Sequence, residues 1–225
     1  LAARLLRFYI ASFHVLDDGS RVAVARDGIY RAGPGEQRMQ RTFKITRGSR
    51  PLNLSVDRNR VIFGEYGSGL EHSRVAIYIS EDYGRSFSVG HLFPKGDIRH
   101  VHNIVIDKLA GLYWVLVGDF EQQPGIGILS DDLSSIPWIR RGTQQCRAVC
   151  ALPTKDGLIY GTDSDRERNF IVMLDRKDGN IRPLCEIEGS SLYATDFGAV
   201  KAIATCVEPN PHCPSKNSAL YLSHN

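Results

Sequence analysis

The chain has 225 residues, 42% hydrophobic and 24% charged, with 21 glycines and 10 prolines; this is the make-up of a turn-rich globular protein and excludes disordered and collagen-like chains. Its 28 basic and 25 acidic residues leave a net charge of +3 with no basic run, so nucleic acid is not an expected partner. No apolar stretch approaches the ~18 residues of a membrane span, and one soluble domain of this length can bury roughly three quarters of its unfolded surface.

In chain order, the opening "LAARLLRFYI" begins on Leu1 and lacks the features of a secretion signal. One domain over residues 1–225 is expected, open to being a fragment of a longer chain. The first strand-like run is "RLLRFYI" (4–10), followed by "RVAVA" (21–25), "RVIFG" (60–64), "VAIYI" (75–79), "NIVID" (103–107), "LYWVLVG" (112–118) and "GIGIL" (125–129). Further on stand "GLIYG" (157–161), "FIVML" (170–174), "AVKAIATC" (199–206) and "ALYL" (219–222). Each is short, rich in Val, Ile and Tyr, and bounded by Gly, Asp, Asn or Pro, which predicts strands. No apolar stripe of helical period accompanies them, so the chain is expected to be all-β.

Five cysteines (Cys146, Cys150, Cys185, Cys206 and Cys213) form an odd set without metal-ligand spacing. Buried free thiols are expected in preference to a Cys206–Cys213 bridge. The compartment stays open.

The third strand of each unit is followed by Ala32, Ser80, Ser130, Asp175 and Ser223, at intervals of 48, 50, 45 and 48 residues. A repeat of this length made of four short strands predicts a propeller blade, because one small sheet cannot cover its own faces and stacks on its neighbours. A β-propeller of five four-stranded blades is expected, with a six-bladed ring as the alternative. In the five-bladed form the 4–10 strand completes the last blade and removes its exposed edge.

One turn in the repeat, "SEDYGRSF" (80–87), places Ser80, Asp82, Gly84 and Phe87 at the key positions of an Asp-box and resembles the repeats of sialidase-like (BNR) propellers. Degenerate copies follow at Ser130, Asp132 and Trp138 and at Asp178 and Gly179. Asp82 is expected to fold back on the turn amides, Gly84 to take positive φ and Phe87 to plug between sheets. The resemblance implies that the boxes join third to fourth strands and that function lies on the opposite face.

On that face, the lead-ins to the innermost strands carry Arg50, Asn53, Arg99, His100, His102, Asn103, Arg147 and Tyr193. After the second strands come Glu65 and Tyr66, then Asp119, then Asp163, each acid following a Gly or Gly-Thr. Carboxylates interleaved with Arg and aromatic residues suit a glycan or another small polar ligand, whose hydroxyls pair with polar groups and whose rings stack on Tyr66, Phe120 or Tyr193. Glycosidic hydrolysis needs two carboxyls, for which Glu65 and Asp119 are the candidates, with Asp163 in reserve. The sialidase resemblance further implies a Tyr nucleophile backed by Glu and three arginines on the substrate carboxylate, for which Arg50, Arg99 and Arg147 fall on successive blades. The Arg-Ile-Pro signature of sialidases is absent.

Two other readings stand beside this one. A non-catalytic propeller would present its loops to a protein or polysaccharide. A metal-dependent, lactonase-like hydrolase would hold a cation on Glu65, Asn53, Asn103 and Asp163. No cofactor is expected otherwise, although His100 and His102 alternate onto one side of a strand and can bind a divalent metal together with Asp119.

Overall fold

Apolar residues on both faces of a strand require a partner layer on each side, and the strands here meet that requirement by stacking sheets side by side. The computed structural model describes residues 10–25, 27–67 and 73–224. The first sheet runs β1 (Ser12–Val15), β2 (Arg21–Ala25), β3 (Gly28–Ala32), β4 (Gln40–Lys44), and the second β5 (Ser55–Asp57), β6 (Arg60–Gly64), β7 (Val75–Ser80), β8 (Ser88–Phe93). The third runs β9 (His100–Asp107), β10 (Leu112–Gly118), β11 (Gly125–Leu129), β12 (Trp138–Arg141), and the fourth β13 (Leu152–Pro153), β14 (Gly157–Gly161), β15 (Asn169–Asp175), β16 (Ile181–Ile187). The fifth holds β17 (Ser191–Asp196), β18 (Val200–Thr205) and β19 (Leu220–His224) among the described residues. All are antiparallel meanders in sequence order, so the chain is an all-β propeller of five blades. The 4–9 stretch of the expected closing strand lies outside the described residues. No helix among the described residues is long and apolar enough to cross a membrane.

The core lies between blades rather than inside any one of them. Along β10, Tyr113, Val115 and Val117 pack toward the second blade with Ile62, Ile77 and Ile104, while Trp114 and Leu116 pack toward the fourth with Leu158, Tyr160 and Val172. The period-2 alternation of one strand therefore supplies two interfaces, which is why "LYWVLVG" reads as a continuous apolar run. A third cluster joins Leu16, Val22, Val24 and Ile29 of the first blade to Leu54, Val61 and Phe63 of the second. The terminal sheets keep open apolar faces: Phe13 and Val15 are 51% and 64% exposed, Leu220 and Leu222 64% and 62%.

Blades approach closely where a second strand ends. The Glu65 carbonyl accepts from the Val101 amide at 3.0 Å, and the Thr162 carbonyl from the Ser191 amide at 3.1 Å, so each links to the next blade's innermost strand. The glycines preceding these links leave no room for a side chain: a Cβ on Gly64 would lie 2.2 Å from the Val101 Cβ. Gly64→Ala is expected to destabilise the fold by about 1–3 kcal/mol through overpacking, read as a lower urea midpoint with an unchanged slope.

The turn at 80–87 joins β7 to β8 and folds as anticipated. Ser80 Oγ donates to Asp82 Oδ1 at 2.7 Å, the Gly84 amide donates to Ser80 Oγ at 2.8 Å, and Asp82 accepts from the Arg85 and Ser86 amides at 2.9 and 3.0 Å. Tyr83 and Gly84 both take positive φ. Phe87 meets Phe43 and Phe63 at centroid distances of 5.6 and 5.5 Å, plugging between the first two blades. The turn after β11 repeats the clamp: Ser130 Oγ donates to Asp132 Oδ1 at 2.7 Å, and Leu133 takes the positive φ. Asp82→Ala removes the acceptor that organises its turn and is expected to cost about 1–2 kcal/mol, the scale of a lost cap, measurable as a lowered melting temperature.

All five cysteines are free, with Cys146, Cys150 and Cys213 buried, Cys206 half-buried and Cys185 exposed.

Candidate functional site

At the end of the innermost strands away from the Ser80 and Ser130 turns lies a cavity of about 390 Å³. Its wall takes residues from all five blades: Ala11, Arg50, Asn53 and Tyr66, His102, Asn103 and Asp119, Arg147 and Asp163, and Tyr193 with Glu208. Below it the innermost strands are tied by a polar belt. Ser12 Oγ donates to Asn53 Oδ1 at 3.4 Å, Asn53 Nδ2 to Asn103 Oδ1 at 3.4 Å, and Asn103 Nδ2 to the Val149 carbonyl at 3.0 Å. The two asparagines spaced 50 residues apart thus meet side by side.

Asp119 is the hub of the cavity. Its Oδ2 receives Arg99 Nη1 at 3.0 Å and lies 3.1 Å from His100 Nε2; its Oδ1 lies 3.0 Å from His102 Nε2 and 3.4 Å from Arg147 Nη2. Burial by itself would raise the carboxyl, but the hydrogen bonds and charge of His100 and His102 outweigh it and hold Asp119 far below the usual carboxylate range. Gly118 makes the contact possible, since a Cβ there would stand 2.8 Å from His102 Cε1. A bulge re-aims the second histidine: Leu116 pairs with Asn103 and Val117 with Val101, leaving His102 without a cross-strand partner.

Asp163 faces the opposite balance. It is 5% exposed, and burial raises its carboxyl despite the opposing charges of Arg147 and His102. Arg147 joins the two acids: its Nε lies 3.4 Å from Asp163 Oδ2 while its Nη1 binds Asp165 at 2.6 Å. One guanidinium therefore bridges Asp119 and Asp163. Cys150 also lines the cavity, but burial pushes its thiol up to about 12, so it is not a ready nucleophile.

Glu65 goes elsewhere, which corrects its pairing with Asp119. Its carboxylate accepts from the Ala76 amide at 2.9 Å and the Tyr78 hydroxyl at 3.3 Å, and it lines a separate recess with Arg47, Gly67 and Ser73. A Tyr–Glu pair thus exists, but Tyr78 is packed against Phe43 and Phe63. The cation set of Glu65, Asn53, Asn103 and Asp163 is likewise not assembled, because Glu65 turns into its own sheet and the two asparagines bond each other. Tyr66 stacks on His100 at 4.2 Å, and Tyr193 is 70% exposed at the rim. Phe120 lies under Arg99, 4.7 Å from the guanidinium carbon. Glu208 had no sequence signal, since it sits in a loop without periodicity between β18 and β19.

No protein-family model matches the chain, and no curated protein does. Solved structures do resemble it. Sqt1 of Saccharomyces cerevisiae superposes with a TM-score of 0.59 at 9% identity, over 88% of this chain and 56% of that one. A protein from Lactobacillus plantarum gives 0.59 at 10% identity, over 96% and 70%. A GH43 β-1,3-galactosidase gives 0.53 at 12%, over 94% and 56%. The chain thus spans little more than half the length of two of these structures. At such identities the likeness concerns architecture, and it places the chain among the β-propellers.

Proposed function

We propose that this propeller is carbohydrate-active: its central cavity takes a saccharide and hydrolyses a glycosidic bond, with Asp163 as the acid. The observation that carries this reading is the pair of carboxyls spanned by Arg147, whose surroundings push them apart, Asp163 toward its protonated form and Asp119 toward its ionised form. Such a split is how one pocket supplies both an acid and a permanent negative charge. Activation of the attacking water falls to the Asp119 side of the cavity. Tyr193 at the rim, Asn53 and Asn103 in the belt and Arg50 on the wall supply the stacking face and polar contacts that sugar hydroxyls require. A GH43 β-1,3-galactosidase among the structural neighbours is consistent with this chemistry on this architecture.

The sialidase form of the reading is less well supported. Arg99 and Arg147 already pair with Asp119, and a neutral saccharide therefore fits better than a carboxylated one. A thermal-shift screen with neutral and acidic mono- and disaccharides tests the proposal. A neutral sugar is expected to raise the melting temperature of the wild type and to lose that effect in Tyr193→Ala; a panel without any stabilising sugar, and no turnover of aryl glycosides, overturns it.

A further inference from the structure

We infer that His100, His102 and Asp119 form a binding site for one divalent transition-metal ion of the zinc type, open to the central cavity. His100 Nε2 and His102 Nε2 are 3.0 Å apart, and each lies 3.0–3.1 Å from an Asp119 oxygen. The three ligand atoms fall within 4.8 Å of one another. Bonds of about 2.0–2.2 Å to zinc separate tetrahedral ligands by roughly 3.3 Å, so the triangle is already near the size an ion needs.

The second ring nitrogens orient the first. His102 Nδ1 lies 2.9 Å from the Ala148 carbonyl and His100 Nδ1 3.2 Å from the Gly67 carbonyl. A carbonyl only accepts, so both Nδ1 atoms carry a proton. With the proton on Nδ1, each neutral ring turns its Nε2 lone pair toward the other ring and Asp119. Both side chains are only 2–3% exposed, so water does not compete freely for the point where they meet. A divalent cation at that point accepts both Nε2 lone pairs and an Asp119 oxygen and leaves each Nδ1–H on its carbonyl. Backbone carbonyls behind metal-bound histidines are the usual means of fixing the tautomer and ring orientation.

The surrounding charges are compatible. Arg99 binds Asp119 Oδ2, the oxygen that also faces His100, as outer hydrogen bonds do for ligating carboxylates. Arg147 opposes the ion, but it is paired with Asp163 and Asp165. His102 and Asp119 lie on the cavity wall, so an ion held by them is reached from the cavity. Three protein ligands with an open position are the pattern of a zinc site that binds water or substrate rather than one that only holds the fold. Two imidazoles and one carboxylate favour a first-row transition ion over calcium or magnesium, which take all-oxygen shells.

The site concerns the same cavity as the proposed function but does not depend on a saccharide. The test is titration of the chelator-treated full chain with Zn²⁺ and, separately, Co²⁺, without sugar. One ion per chain, a raised melting temperature and a visible Co²⁺ spectrum of low coordination number are expected. His102→Gln is expected to weaken binding at least 100-fold while the far-UV circular dichroism is unchanged. X-ray absorption of the zinc-loaded wild type reads two imidazole ligands without needing any variant to fold. No saturable binding by the wild type, full affinity in a folded His102→Gln, or a bound ion lacking imidazole ligands would overturn the inference. Sugar binding is measured apart, in chelator: metal uptake without any sugar response counts against the function alone, and a sugar response without metal uptake against the metal site alone.

Discussion

Replacing Asp119 by alanine is expected to lower the unfolding free energy by about 3–5 kcal/mol, the scale for removing one partner of a buried charge cluster. The substitution leaves Arg99, Arg147, His100 and His102 converging without the anion that all four face. The cost is the mutual repulsion and incomplete solvation of those groups more than the loss of any one contact. Urea denaturation at pH 7 measures it. The same residue fixes an acid limb in the stability profile. Because the folded carboxyl lies below its unfolded value near ~3.9, its contribution is fully present above that range and is lost as pH falls toward the folded value. Asp119→Asn should therefore flatten the decline of stability below about pH 4; a variant as stable as the wild type, with an unaltered acid limb, would show that the cluster is not held as described.

Asp163→Asn carries the opposite signature. Its folded carboxyl is raised by burial, so its contribution is fully present below the unfolded value and is lost as pH rises through the folded value. Asparagine has no charge to desolvate, and the variant is expected to melt at or above the wild-type temperature at pH 7. Turnover of the saccharide should nevertheless fall by about 10²–10⁴-fold, the usual contribution of a positioned acid. The loss should shrink on aryl glycosides whose leaving groups need no proton. Unimpaired turnover in this variant would remove Asp163 from the chemistry.

The blade repeat is legible because burial on both faces leaves a plain mark, as in β10, where alternate residues enter two different interblade layers. Outer strands leave none. β4 ("QRTFK") and β16 ("IRPLCEI") are largely solvated, so neither apolar pattern nor propensity marks them, and bulges break their pairing with the third strands. The positions of the three acids are legible for a physical reason as well: Gly64, Gly118 and Gly161 end second strands where Val101, His102 and Ser191 leave no room for a Cβ, and Glu65 and Asp119 follow directly, Asp163 after Thr162. The direction of each side chain is not. Glu65 and Asp119 follow equivalent glycines, yet Glu65 is captured by the Ala76 amide and Tyr78 of its own sheet, while Asp119 is captured by groups from its own and the following blade. The spacing of His100 and His102 is readable, but the bulge that turns His102 toward its partner depends on the register of Leu116 and Val117 across the ladder.

The hollow at the propeller axis is proposed as a saccharide site. Calorimetric titration of the wild-type chain and its Asn103→Ala variant, using the best stabilising sugar from the thermal-shift panel, tests it most directly. Saturable one-to-one binding is expected, weakening at least tenfold when Asn103 is removed from the belt. Equal affinity in the two proteins, with Asn103→Ala folded, would contradict it.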